Sequence, residues 1–349
     1  MAVRSPVAIG RRSGSASLAP ELATATALLR MPPRAVTAVS GGGNNRLYRV
    51  ESEDGRAFAL KTDLRQANDT RDRMGAEWSG LDFLFRHGVT CVPRPIAVHR
   101  TDNAALYGWV EGTRVTEVGA ADIDAAITFV VALKRLAIMP RAARLPLAAE
   151  ACLSARELIS QVDRRLERLR ALDDAELQRF LAGEVLPARK RAVANLRTGY
   201  VGAWRNLDAE LALELRTLSP ADFGFDNALR TADGLVFLDF EYFGWDDPVK
   251  LVADFLHHPG MALDAAMKRR FLAGARAAFN DDAHFGLRLA LMYPLYGLRW
   301  IGILLNEFLP ERWARRAYAG ATDRQAAQAR QLAKARAKLT DLGGLPHDA

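Results

Sequence analysis

Cysteine is nearly missing from this chain of 349 residues: only Cys91 and Cys152 occur, and their separation is not that of a metal-ligand pair. That excludes a disulfide framework and a thiolate zinc site, and fits a reducing compartment, so a cytoplasmic location is expected. No secretory leader is apparent either. Residues 1–20 are rich in Ser, Arg and Gly without an apolar stretch, and are expected to be a disordered tail. No long apolar run goes unbroken. The most apolar segment, residues 287–309, contains Arg288, Pro294, Arg299 and Glu307, which argues against a membrane span and for one or two buried helices. Internal repeats and RNA- or DNA-binding signatures are not found.

The formal charge of +7 is unevenly distributed. Residues 1–34 carry five Arg against Glu21, and residues 311–338 carry eight Lys or Arg against Glu311 and Asp323, which leaves the body of the chain slightly acidic. Basic ends of this kind can meet an anionic surface or nucleic acid. Here Arg316, Arg324, Arg330, Lys334 and Lys338 alternate with Ala, Leu and Gln, the pattern of a solvated helix face, and a nucleic-acid partner is not expected. The length suggests two lobes, and a hydrophobic content of 50% is ample for a globular core.

What the chain does have is a polar constellation at residues 219–241. Ser219-Pro220-Ala221-Asp222-Phe223-Gly224-Phe225-Asp226-Asn227 is followed by Phe237-Leu238-Asp239-Phe240-Glu241, with Asp233-Gly234 as a turn signal between two apolar runs. The pattern reads as loop, strand, tight turn, strand. It predicts that Asp222, Asn227 and Asp239 meet at one end of a small hairpin. One carboxylate can take a hydroxyl proton, while an amide oxygen and the second carboxylate can hold Mg²⁺, which prefers oxygen donors and is completed by substrate phosphates. This is the layout of a phosphoryl-transfer site.

The Asp-to-Asn spacing of five resembles the catalytic loop of protein kinases. The wording Leu238-Asp239-Phe240-Glu241-Tyr242, followed by Gly244-Trp245-Asp246-Asp247-Pro248, is closer to the aminoglycoside phosphotransferase and choline kinase superfamily. The resemblance covers about residues 38–260. It implies an α+β, two-lobed protein-kinase-like fold, with a small antiparallel-sheet N-lobe over residues 36–112 and a larger, mainly helical C-lobe over 113–343, behind a loosely packed tail at 1–35. It also implies that Asp222 is the catalytic residue and that Asn227 and Asp239 are the metal ligands. One departure is plain: the family's histidine two residues before the catalytic Asp, which braces the loop, is Pro220 here. That leaves a catalytically weak or inactive nucleotide-binding pseudokinase as the alternative.

The resemblance extends to the N-terminal part. Gly41-Gly42-Gly43-Asn44 is a Gly-rich turn, and consecutive glycines let backbone N–H groups approach a phosphate. The return strand, Ala57-Phe58-Ala59-Leu60-Lys61, ends in a lysine where burial of an unmatched charge would be costly. It is similar to the kinase strand whose Lys holds the α- and β-phosphates of ATP. Residues 71–87 read as a helix with Met74, Trp78, Leu81 and Phe85 at helical spacing. Glu77 in that helix is similar to the kinase glutamate that fixes the lysine, with a surface pair to Arg73 as its plain alternative. Two further strands, at residues 92–98 and 104–112, lead by the same resemblance into a hinge whose backbone at Tyr107, Trp109 and Val110 would meet adenine. Three helical blocks, at residues 121–139, 149–171 and 174–204, separate hinge from catalytic loop. The expected partners are therefore ATP, Mg²⁺ and a small hydroxylated acceptor.

Overall fold

Two turn-linked apolar runs after residue 44 build the first sheet, and helical periodicities after residue 110 build nearly everything else. The computed structural model describes residues 18–39, 45–63, 71–203, 206–261, 263–313, 323–342 and 344–345. By its internal contacts the chain divides into two units, one made of residues 1–64 and 96–109, the other of residues 65–95 and 110–349.

In the first unit, helix α1 (Ala19–Leu29) precedes strands β1 (Ala35–Val39), β2 (Asn45–Glu51) and β3 (Ala57–Asp63). Strands β4 (Pro95–His99) and β5 (Ala104–Gly108) complete a five-stranded sheet in the order β1-β2-β3-β5-β4. The β2–β3 turn works because Gly55 sits at φ +82°, a conformation that costs a glycine nothing. Alternate residues of β2, β3 and β5 point inward, and Tyr48, Val50, Phe58, Leu60, Ala104 and Leu106 form the core. Helix α1 closes that core with Ala25 and Leu28, and the Tyr48 hydroxyl donates to Glu21 Oε1 at 2.7 Å. Residues 19–29 are thus packed helix, which corrects the expectation of a loose tail as far as residue 35. The Ala-rich composition hides this, because only two apolar positions per turn-and-a-half are needed to close a small core. Residues 1–17 lie outside the described residues.

The second unit begins with helix α2 (Arg73–Arg86), capped by Asp72, whose Oδ1 accepts from the Gly75 N–H at 2.8 Å. Strand β6 (Thr113–Arg114) joins β8 (Ala228–Thr231) and β9 (Gly234–Phe237) in a small sheet, and β7 (Thr217–Ser219) pairs with β10 (Gly244–Asp246). The remainder is helical: α3 (Ala120–Ala137), α4 (Ala155–Arg170), α5 (Ala175–Phe180), α6 (Leu186–Gly202), α7 (Pro248–His257), α8 (Ala265–Ala278), α9 (Phe285–Leu304) and α10 (Arg324–Thr340). Helix α9 is the hub, touched by α4, α6, α7 and α10. The stretch Phe285–Phe308 is long and apolar enough to cross a membrane, but 72% of its most apolar window is buried inside this unit, where it serves as a core helix. The basic helix α10 packs Ala327, Leu332 and Ala335 inward and pairs Arg336 with Glu184.

These units differ from the segments drawn on the sequence. Residues 65–95, including α2, group with the helical unit, and β5 stops at Gly108, with the unit boundary between Trp109 and Val110. The reason for the first difference is local. A Cβ on Gly80 would lie 2.4 Å from Phe243, so the absence of a side chain lets α2 pack directly on the segment that follows the hairpin.

Candidate active site

The constellation at 219–241 alternates aromatic and polar residues, and the fold separates them. Phe223, Phe225, Phe237, Phe240 and Phe243 are all buried. Phe223 meets Phe237 and Phe255 at centroid distances of 5.1 Å each, and Phe237 stacks on Phe129 at 4.9 Å. Each such side chain contributes about 1.5–3 kcal/mol on burial. These anchors fix the backbone, and the intervening Asp222, Asn227 and Asp239 stay half-exposed.

Strands β8 and β9 form the expected hairpin, with Ala228 opposite Phe237 and Thr231 opposite Gly234. The Leu238 N–H donates to the Asn227 carbonyl at 2.7 Å, one rung beyond the last strand pair. That bond places Asp239 immediately past Asn227 at the open end. Two non-glycine residues here have left-handed backbones, Ala221 at φ +66° and Asp239 at φ +62°. Such conformations cost on the order of 1–3 kcal/mol and gather at functional positions, where surrounding structure holds them.

Asp222 and Asn227 are in direct contact. Asn227 Nδ2 donates to the Asp222 carbonyl at 3.1 Å and to Asp222 Oδ2 at 3.2 Å. With its amide nitrogen so engaged, Asn227 offers its amide oxygen to a cation. On the other side, His258 Nε2 lies 3.7 Å from Asp222 Oδ1 and His258 Nδ1 lies 3.5 Å from Asp226 Oδ1. Burial alone would push the Asp222 carboxyl up, but His258, Asn227 and the charge of Lys250 hold it below the ordinary Asp value. Burial likewise opposes charge on His258, yet its contact with Asp222 and the charges of Asp226, Asp222 and Asp254 raise its pKa. Asp222 is therefore ionised at neutral pH and able to accept a proton. His258 was not singled out on the sequence; it lies 36 positions beyond Asp222 and shares no local pattern with it.

Several plain alternatives resolve. Asp226 is exposed on the short 3₁₀ turn Phe225–Asn227. Glu241 is buried and meets Arg73 at 3.5 Å. Glu77 is buried at 5% exposure, so it is not a surface acid, whereas Asp82 on the same helix pairs with Arg86 at 2.8 Å. Asp247 caps α7 by accepting from the Val249 N–H at 2.8 Å. In the first unit, Lys61 lies inside β3 between Leu47 and Ala105 and is 7% exposed, which is not a solvated strand end. Tyr107 is buried in β5, and the Trp109 N–H donates to the Ala57 carbonyl at 3.2 Å, which commits that donor to the sheet. Val110 is half-buried at the start of the second unit. Gly41, Gly42, Gly43 and Asn44 lie outside the described residues.

Among the described residues no group of three or more His, Cys, Asp or Glu forms a self-contained metal cage. The donors at the hairpin end are one amide oxygen and one carboxylate, a hard-oxygen pair that suits Mg²⁺ with phosphate oxygens and water completing the shell. A separate cavity of about 590 Å³ in the helical unit is lined by Ser154, Tyr200, Glu210, Asp247, His284 and Arg288 among others, and by none of Asp222, Asn227 or Asp239.

Comparison with known proteins follows from this geometry. A family described as "Phosphotransferase enzyme family" matches residues 35–288. Comparison with curated sequences gives no match. Among solved structures, an amicoumacin kinase in complex with AMP-PNP, Ca²⁺ and Ami is similar at 16% identity and a TM-score of 0.58, covering 95% of each chain. A spectinomycin phosphotransferase in complex with ADP and spectinomycin gives 10% identity and 0.61 over 93% of each chain. A choline/ethanolamine kinase family protein from Mesorhizobium loti gives 15% and 0.54, covering 87% of this chain and 88% of that one. At identities this low the structural likeness shows the fold alone, a kinase-like α+β fold.

Proposed function

The chain belongs to the phosphotransferase enzyme family, and on that premise we propose that it moves the γ-phosphate of ATP to a hydroxyl of a small metabolite. What supports this reading is the contact of Asp222 with Asn227, together with the Leu238–Asn227 backbone bond that sets the left-handed Asp239 next in the chain at the open end of the same hairpin. Asp222, ionised and half-exposed, orients the acceptor hydroxyl and takes its proton late, since the transition state is loose and depends on positioning. Asn227 and Asp239 would hold Mg²⁺, which when bound neutralises phosphate charge. Lys61, kept from solvent in β3, is assigned to the α- and β-phosphates, and Gly41 to Gly43 to covering them. Glu77 is assigned to orienting Lys61, and the backbone at Tyr107, Trp109 and Val110 to adenine.

The similar structures include a spectinomycin phosphotransferase and a choline/ethanolamine kinase family protein, and the acceptor class we favour is a sugar, an aminoglycoside or an amino alcohol. A screen of ATP consumption against these three classes, with Mg²⁺ and with Asp222→Ala as control, tests the reading. Turnover on at least one class, lost in the control, is the expected result; equal turnover by Asp222→Ala overturns the role of that residue. The pseudokinase alternative rests on Pro220. Magnesium-dependent ATP binding without turnover across the whole panel would select it.

A further inference from the structure

A histidine from beyond α7 sits against the loop that carries Asp222. We infer that His258 is the positioning residue for Asp222. The inference rests on the phosphotransfer reading of Asp222 given above.

Three features of the seat of His258 carry it. First, the ring is placed between two loop carboxylates, Asp222 at 3.7 Å from Nε2 and Asp226 at 3.5 Å from Nδ1. Nδ1 also lies 3.2 Å from the Gly260 N–H. Facing that N–H, Nδ1 is an acceptor and the proton is on Nε2; facing Asp226, both nitrogens carry protons. In either state the group turned to Asp222 is an N–H donor. Asp222 is thereby held from both sides, Oδ1 by His258 and Oδ2 by Asn227. The 3.7 Å separation is longer than a hydrogen bond, as catalytic contacts often are before substrate closes the site.

Second, the seat is cut to the ring. A Cβ on Gly224 would come within 2.7 Å of Asp226 Oδ1 and 3.4 Å of His258 Cγ, and one on Gly260 within 3.2 Å of His258 Cε1. Any side chain at either glycine would push the ring or Asp226 aside. The Phe225 N–H meets Met261 Sδ at 3.3 Å, so the segment after α7 lies along the loop on both flanks of the histidine. Third, the ring is held from behind. Its edge meets Trp300 of α9 at a centroid distance of 4.9 Å and 75°. Trp300 Nε1 in turn donates to Asp254 at 2.8 Å, an acid that also accepts from Arg299 and pairs with Lys250. His258, 8% exposed, is thus fastened to the helical core while its donor faces the loop.

The test uses the full chain with Mg-ATP, reading ADP release with water standing in for the acceptor. In that reaction the bond between the γ-phosphorus and the bridging oxygen breaks, a bond to water oxygen forms, and the water proton passes to Asp222. His258→Ala should lower kcat about 10- to 100-fold, the usual effect of removing an orienting partner, with KM for ATP and melting temperature nearly unchanged. His258→Gln, which keeps an N–H at the same reach, should recover most of the loss. If His258→Ala keeps wild-type kcat while Asp222→Ala abolishes ADP release, the inference fails and the assignment of Asp222 stands. If Asp222→Ala itself changes nothing, the assignment fails first. Apart from turnover, the ring N–H of ¹⁵N-labelled His258 should shift on Asp222→Asn; an unmoved signal overturns the contact on which the inference stands.

Discussion

Helix α7 is built differently at its two ends. At the start, Asp246 pairs with Lys250 at 2.9 Å, and Asp247 is bound by Arg288, which also reaches Asp282 at 2.7 Å. All five side chains are buried. Just past the other end, His258 stands 3.5–3.7 Å from two acids that are 40% and 44% exposed. In the first arrangement every charge is matched by a buried partner at short range. The second is open on one side. Charge that is matched at short range serves the fold, whereas charge held at longer range against solvent is available to chemistry. One helix therefore ties a structural network to a reactive one.

That contrast can be broken in both directions. The largest effect is expected from Arg288→Ala, which leaves Asp247 and Asp282 buried and unmatched; removing one partner of a buried pair costs about 3–5 kcal/mol. A midpoint in chemical denaturation close to that of the parent would contradict it. Next, Asp222→Ala and Asp239→Ala should each lower kcat by at least ~10²-fold, the scale of a general-base contribution, with little change in the melting temperature. Steady-state rates beside thermal melts would show whether activity and stability separate as the comparison requires. Gly80→Ala should destabilise by about 1–3 kcal/mol through overpacking against Phe243, and a simultaneous fall in turnover would show that the α2 contact sets the loop. The smallest effect belongs to Glu150. Burial pushes its carboxyl up, but Arg165 and Arg299 hold it at about 2 against an ordinary 4.5. A lowered folded-state pKa gives stability that is present above about 4.5 and is lost as pH falls toward 2. The side chain is 41% exposed, so the contribution is under about 1 kcal/mol. Glu150→Gln should flatten the acid limb of the stability curve by that amount, as read from melts at pH 2.5 to 6.

Much of the hairpin was legible because its information is local. Asp222, Asn227 and Asp239 flank one short strand pair, the apolar residues between them declare which face is inward, and Asp233-Gly234 marks the reversal. Lys61 was legible for the same reason, since a lysine in an apolar strand contradicts its neighbours. His258 was not, because nothing in His257-His258-Pro259-Gly260 says which ring turns to the loop. His257 stacks on Tyr293 at 3.9 Å and bonds its carbonyl, while its neighbour faces Asp222. Only the three-dimensional course of the chain after α7 distinguishes them. Gly224 and Gly260 were the available hint, two small residues where a bulky ring had to fit. Helix α1 escaped because its sequence is nearly uniform in Ala, Leu and Thr and its burial falls on Ala25 and Leu28 alone.

Helix α2 is keyed twice to the stretch that follows Asp239: Gly80 receives Phe243, and Arg73 reaches Glu241. Those two fastenings lie about two turns apart along α2, so the helix can neither rotate about its axis nor slide by a turn without giving up one of them. The azimuth of Glu77, between the two, is consequently dictated by the same few residues that carry the left-handed Asp239. An acid that looks remote in the chain from the hairpin shares its alignment with it, and a substitution at 241 or 243 would reach 77 through Arg73 or Gly80.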